Sequence, residues 1–321
     1  MVRKTWLLAG CAVLGACGGG GGENDGSDIP GPVATSSPTP TPSSVSYQTF
    51  AQQTGNRTYA TSCAAGITKV PGTVIYPATP FGGSLSIAYN AGTQLYSITG
   101  PNGVSLDLGP QDLESSPPAG VSAAYSRLLP NGFRQRFIIG NGALASGTAD
   151  YVRSVYVAAQ TGAGEPLIHY CVLGVPTLLT DRPPNGSYTF GQFAVSGFAL
   201  EQTTAGVNPY DIRDSVVTLS ANTTNGTVTA NIRLVGRKVE NGVPSGAITE
   251  LGTFTGTADF DTSVTSFDGA LTSANRTNLQ SAIGGWFFGP QGREIGASFT
   301  VVAEDSAGSR INVLGTVIGK R

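Results

Sequence analysis

From about residue 47 onward, apolar and polar residues alternate with a period of two. Ile295, Ala297, Phe299 and Val301 point one way, while Glu294, Gly296, Ser298 and Thr300 point the other. Earlier in the chain, Val228, Ala230, Ile232 and Leu234 are set against Thr229, Asn231 and Arg233. That period belongs to strands with one dry face and one face turned to water. Helical periodicity is almost absent, and short runs rich in Thr, Val, Ile, Tyr and Phe are cut by Gly, Asn and Pro. The 45 glycines follow no triplet repeat, so they supply turns rather than a collagen-like rod. The expected fold class is all-β.

Eight strands are expected in the C-terminal part, at 188–200, 215–221, 227–235, 253–260, 266–271, 284–288, 295–303 and 310–318. A bend is expected in the first at Gly191 or Gly197. Asn225-Gly226 and Asn241-Gly242 read as hairpin turns. Eight antiparallel strands suit a small closed barrel, which removes exposed edges and is just wide enough for side chains or one small ligand. The turn-rich stretch Asp181-Arg182-Pro183-Pro184-Asn185-Gly186 marks a boundary. Ahead of it, residues 47–180 form a less regular β-rich unit. Its expected strands lie at 83–90 and 94–103 around an Ala91-Gly92 turn, and in SAAYSRL, GFRQRFIIG, DYVRSVYVA and LIHYCVLGVPT.

The first 46 residues break the pattern and change the picture. Arg3 and Lys4 precede an uncharged apolar run, TWLLAGCAVLGA, too short to span a membrane and of the length of a secretory signal core. It ends on Leu14-Gly15-Ala16-Cys17, which resembles a bacterial lipobox. Residues 1–16 are therefore expected as a signal peptide and Cys17 as the lipid-attachment site, the alternative being plain cleavage near Ala16. Cleavage at Cys11 would leave about six apolar residues, below the usual range. Residues 17–46, rich in Gly, Pro, Ser and Thr, form a tether with no core of its own, reaching about 30 Å as a coil. No Asp follows Cys17, which suits sorting to the outer membrane in Gram-negative lipoproteins.

Loss of Arg3 and Lys4 takes the formal charge from −2 to about −4. No basic run exists, so nucleic acid is excluded as an electrostatic partner, as are anionic lipid surfaces. Membrane attachment is expected through the N-terminal lipid alone, and a monomer is expected. Two cysteines remain after export, Cys63 and Cys171, and a disulfide between them is expected over two buried thiols.

Candidate chemistry is sparse. Gly140-Asn141-Gly142-Ala143-Leu144-Ala145 matches G-x-G-x-x-A, but a strand pattern follows where a dinucleotide site needs a helix. His169 is the only histidine, and it sits in a strand beside Cys171, so a partly exposed strand histidine is expected rather than a catalytic base. Asp259, Asp261 and Asp268, with Glu304 and Asp305, could in principle work as carboxylate pairs in polysaccharide hydrolysis, but acidic residues at strand ends usually form turns. Tyr188, Phe190, Phe193 and Phe198 are expected as core rather than as a pocket lining. No catalytic residue, metal ligand or cofactor is assigned.

The stretch WFFGPQGREIGASF, residues 286–299, resembles the barrel signature G-x-F-[FY]-G-P-x-A-x-E-[VIL]-G-G-x-F of transferrin-binding protein B-like surface lipoproteins, a group to which factor H-binding protein is similar. Trp286, Phe287, Phe288, Gly289, Pro290, Glu294, Gly296 and Phe299 carry the match. Ala297 stands where the second glycine would be, and Gly292 where an alanine is usual. NVLGTVIGKR at 312–321 resembles the closing strand of that barrel, and DYVRSVYVA with HYCVLGVPT resembles the end of the preceding "handle" domain. The resemblance implies a β-rich handle at 47–180 and an eight-stranded antiparallel barrel at 181–321. It further implies a binding lipoprotein, lipid-anchored in the outer membrane at the cell surface, with the periplasmic face as the alternative, working beside a TonB-dependent transporter or holding an extracellular protein, metal carrier or solute. Alternatives are a structural envelope lipoprotein, and a carboxylate-based hydrolase of polysaccharide.

Overall fold

The computed structural model describes residues 46–67, 72–260 and 266–321. The signal peptide, Cys17, the tether up to residue 45 and Asp261 lie outside the described residues. These described residues form one compact unit. Among the described residues no helix exceeds three residues, so every long element is a strand.

Ten strands precede residue 180: β1 (Arg57–Ala60), β2 (Ser62–Ile67), β3 (Val74–Tyr76), β4 (Ser86–Asn90), β5 (Leu95–Thr99), β6 (Ser105–Leu108), β7 (Val121–Leu128), β8 (Arg134–Gly140), β9 (Val152–Gln160) and β10 (Pro166–Gly174). They make a four-stranded sheet, β1-β4-β5-β6, and a six-stranded sheet, β3-β2-β10-β9-β8-β7. Alternation decides what lies between the two sheets. Val155, Val157, Leu167, Cys171 and Leu173 share a core with Ile87, Ile98, Leu106 and Leu108. Cys63 and Cys171 face each other in register across β2 and β10 and are joined as a disulfide. With a sequence separation of 108, the bond restricts the unfolded chain by about 4.7 kcal/mol on chain-entropy reckoning.

Ten further segments follow: β11 (Ser187–Phe190), β12 (Gln192–Thr203), β13 (Gly206–Asp211), β14 (Val216–Asn222), β15 (Thr227–Glu240), β16 (Val243–Asp259), β17 (Phe267–Thr272), β18 (Thr277–Phe288), β19 (Glu294–Glu304) and β20 (Arg310–Lys320). They form one antiparallel sheet that is a closed ring, with β15 paired to β16 and β12 to β20. β11 and β12 are halves of one strand broken at Gly191, and β13 and β14 halves of another broken at 212–215. The ten segments are therefore eight staves of a barrel. Phe190, Phe254, Phe267, Phe287 and Phe299 are all buried, and the Phe287 ring lies 6.3 Å from Phe190 and 5.9 Å from Phe267. Side chains fill the barrel. Phe299 lies over Gly315, its cross-strand partner, where an added Cβ would overlap the ring.

Several features differ from the sequence expectation, which placed no strand at β1, β2, β3, β6 or β13 and began β18 only at Gly284. β15 and β16 run well past Val235 and begin well before Thr253, projecting as a hairpin that turns at Asn241 (φ 52) and Gly242 (φ 79). Residues in that projection are largely exposed on both faces, so no buried stripe marks them as strand. The polar face of β19 and β20 does not meet water: Glu294, Ser298, Thr300, Asn312 and Thr316 are all buried. His169, expected to be partly exposed, is 1% exposed. Its strand is sandwiched between β2 and β9, opposite Ala65 and Val157.

Burial lowers the His169 imidazole from 6.5 to about 4. The folded protein therefore resists protonation that the unfolded chain accepts, and stability is full above pH 6.5, falls as pH drops toward 4, and levels below that. The loss between pH 7 and pH 5 is about 2 kcal/mol from this residue. Urea unfolding of wild type and His169→Leu at the two pH values checks it: the wild type should lose that much more than the variant.

Candidate functional site

The buried polar face of β19 and β20 is the bed on which the six-stranded sheet lies. Its centre is Glu294, fully buried at the start of β19. One carboxylate oxygen accepts the Asp150 N–H at 2.6 Å, and the other accepts the N–H groups of Tyr151 (2.8 Å) and Val152 (3.0 Å). Three donors at the entry to β9 are thus satisfied by one side chain from the barrel, as buried N–H groups require. Burial raises the Glu294 carboxyl above its ordinary range, and the three N–H donors pull it back in part. Lys320 Nζ sits 2.7 Å from Asp150 and 4.0 Å from Glu294, supplying a nearby cation.

Other polar residues continue the bed. Ser62 Oγ lies 2.6 Å from Ser298 Oγ, from which it can accept while donating its own proton to the carbonyl of Thr79 or of Gly284. The Ala78 N–H donates to Thr300 Oγ1 at 3.1 Å. Between these polar contacts Ala64, Ile75, Val302 and Leu314 form an apolar cluster. The chain also enters here, with the Leu178 N–H donating to Tyr47 Oη at 3.0 Å and the Phe50 N–H to the Asp150 carbonyl at 2.8 Å.

The aromatic-glycine hairpin belongs to the same junction. Trp286 and Phe288 share a strand face, and Phe287 takes the other, into the barrel. Trp286 Nε1 donates to the Thr177 carbonyl at 3.1 Å, and Phe288 meets Phe81 edge-on at 5.4 Å. Gly289, at φ 72, lies under the Tyr151 ring, where a Cβ would overlap it. Pro290 opens the three-residue turn into β19. A Cβ on Gly296 would come within 2.8 Å of Val152 and 3.0 Å of Phe288. The barrel signature is thus a set of contacts to the neighbouring sheet as much as to the barrel itself.

The remaining sequence candidates are scattered. Asp259 and Asp268 pair across β16 and β17 and are exposed. Asp305 accepts the N–H groups of Ala307 and Ser309 as a turn former. Gly140 ends β8 and residues 141–145 lie in the connection to β9, with no helix after them. Phe190 is core, Phe198 packs on Tyr170 at 5.8 Å, Phe193 is half-buried, and Tyr188 carries Arg321 over its ring at 4.4 Å.

What the sequence did not single out is a cleft of about 380 Å³ between the six-stranded sheet and the outer face of β12 and β13. Ser154, Tyr156 and Tyr170 come from the first wall, Ala194, Ser196, Asp211 and Arg213 from the second. The Tyr156 and Tyr170 rings stand 5.2 Å apart at 63°, forming a corner. Burial raises both phenols, so both keep their protons and can donate. Asp211 grips Arg213 through Nε (2.9 and 3.0 Å) and Nη2 (2.7 Å). Period two in SVYV and in HYC separates these residues from the core-facing Val155, Val157 and Cys171. It cannot say that a second wall stands opposite. A shallower depression of about 520 Å³ lies over β1, β4 and β5, and one of about 90 Å³ beside Trp286. Neither brings two sheets together around converging polar groups.

No family model and no curated protein matches the chain. Among solved structures it is similar to transferrin-binding protein B of Haemophilus parasuis Hp5, with 15% identity over 81% of this chain and 44% of that one at a TM-score of 0.44. It is also similar to isotype 1 transferrin-binding protein B of serogroup B Neisseria meningitidis, with 12% identity over 82% and 44% and a TM-score of 0.36. The N-lobe domain of lactoferrin-binding protein B of Moraxella bovis shows 9% identity over 83% and 98%, with a TM-score of 0.32. The chain spans less than half the length of the two transferrin-binding proteins.

Removing the Glu294 carboxylate leaves two buried N–H donors and a partly buried one without acceptors. Glu294→Ala should destabilise the protein by roughly 3–5 kcal/mol, with Glu294→Gln intermediate. Hydrogen exchange should show amides 150–152 losing protection before those of the barrel wall. Equal loss across both units would contradict the junction role.

Proposed function

We propose that the protein is a lipid-anchored, non-enzymatic binding module of the outer-membrane surface, of the transferrin-binding protein B-like type. It holds a protein, metal carrier or solute ligand at the junction of its two β units. The observation that carries this reading is the cleft of about 380 Å³, within the volume range of small-molecule sites. Its two walls are fixed relative to each other by the Glu294 contacts and a shared apolar core. A rigid cleft loses little entropy on binding.

The sequence supplies the address. Leu14-Gly15-Ala16-Cys17 and the tether after it suit a body held clear of the membrane by a lipid on Cys17. Acyl chains contribute about 0.8 kcal/mol per buried methylene, so several on one residue give lasting attachment. Chemistry at the site supports holding rather than turnover. Both cysteines of the body are in the disulfide, His169 is buried, and among the described residues no three His, Cys, Asp or Glu side chains converge to hold a metal.

The filled barrel supports a second reading, a structural envelope lipoprotein without a specific ligand. Two measurements separate the readings. Labelled palmitate should enter the wild type and not Cys17→Ala, and incorporation that survives the substitution removes the anchor. Material captured by the wild type from growth medium or host fluid should be lost with Ser196→Trp, which fills the cleft. Capture of nothing by either protein favours the structural reading.

A further inference from the structure

The cleft holds more unspent hydrogen-bonding capacity than its neighbours need. The hydroxyls of Tyr156 and Tyr170 have no partner among the described residues, and neither do Ser154 Oγ or Ser196 Oγ, one from each wall. Arg213 commits Nε and Nη2 to Asp211, and its Nη1 bonds to nothing else among the described residues. The Asp211 carboxylate is spent on that pair, which leaves the guanidinium neutralised, oriented and still able to donate.

We infer that this cleft binds an uncharged saccharide of one or two rings, an assignment that rests on the binding reading above. A sugar ring offers a patch of C–H groups ringed by hydroxyls that both donate and accept. The Tyr156–Tyr170 corner meets the C–H patch. The four free hydroxyls and the Arg213 edge meet the sugar hydroxyls from several directions. Other ligand classes fit this set worse. An acyl chain would strand the polar groups, each at a cost when desolvated. A strongly anionic ligand would need a cation not already paired, and the site has only the neutralised Arg213. A metal ion would find Asp211 as its sole carboxylate, already occupied.

Saturation-transfer NMR on the purified full chain tests the assignment, using glucose, galactose, mannose, N-acetylglucosamine, maltose, lactose and cellobiose as probes. At least one should show transfer. Its dissociation constant should rise about tenfold in the Tyr156→Phe/Tyr170→Phe double variant and again with Arg213→Ala, at unchanged thermal midpoints. Binding that is indifferent to these substitutions places the sugar elsewhere and overturns the site. Silence from every probe, with capture of another ligand that Ser196→Trp abolishes, overturns the saccharide class and leaves the binding reading standing. Silence together with no capture removes both.

Discussion

A carboxylate buried under a β-sheet governs this molecule. Glu294 stands at the first position of a barrel strand, and its oxygens take the backbone N–H groups of three consecutive residues from a different sheet. An ionisable group so enclosed is costly unless fully hydrogen-bonded. The arrangement is therefore all-or-none: either the strand entry at 150–152 lies on β19 in this register, or three donors and a charge are stranded together. The surrounding small residues allow the close approach. Gly289 and Gly296 leave room for Tyr151, Val152 and Val172, and Ser62 and Ser298 meet side chain to side chain.

The alternation of the sequence carried most of the fold. Each of the eight barrel staves was legible over part of its length, where an apolar face runs along it; β13, the first half of β18 and the doubly exposed parts of the long hairpin escaped. The polar face was legible as polar, but period two does not say what covers it. Glu294, Ser298 and Thr300 read as solvent-facing because a polar residue meeting another polar residue and one meeting water look alike in one strand. His169 was misjudged because the face it shares with Leu167 and Cys171 is covered by the four-stranded sheet, which one strand's pattern does not reveal.

The candidate site was much less legible. The aromatic-glycine stretch was recognisable as a signature, and its residues make contacts across the junction. Tyr156, Tyr170 and Arg213 gave no signal, because a cleft between two units is made by the angle at which they meet. That angle follows from where the second sheet seats on β19 and β20, a property of many weak contacts rather than of any motif.

The topology also sets an order of events. The disulfide and both smaller sheets draw only on residues before 175, whereas the barrel closes only when β20 pairs with β12, Gln192 against Lys320. A chain emerging from its N-terminus can complete its first unit early, while the seat for that unit is still missing. Ser62, Ala64 and the open N–H groups at 150–152 then wait for the last strands to arrive. The interval before β19 and β20 emerge is when this protein is most exposed to mispairing.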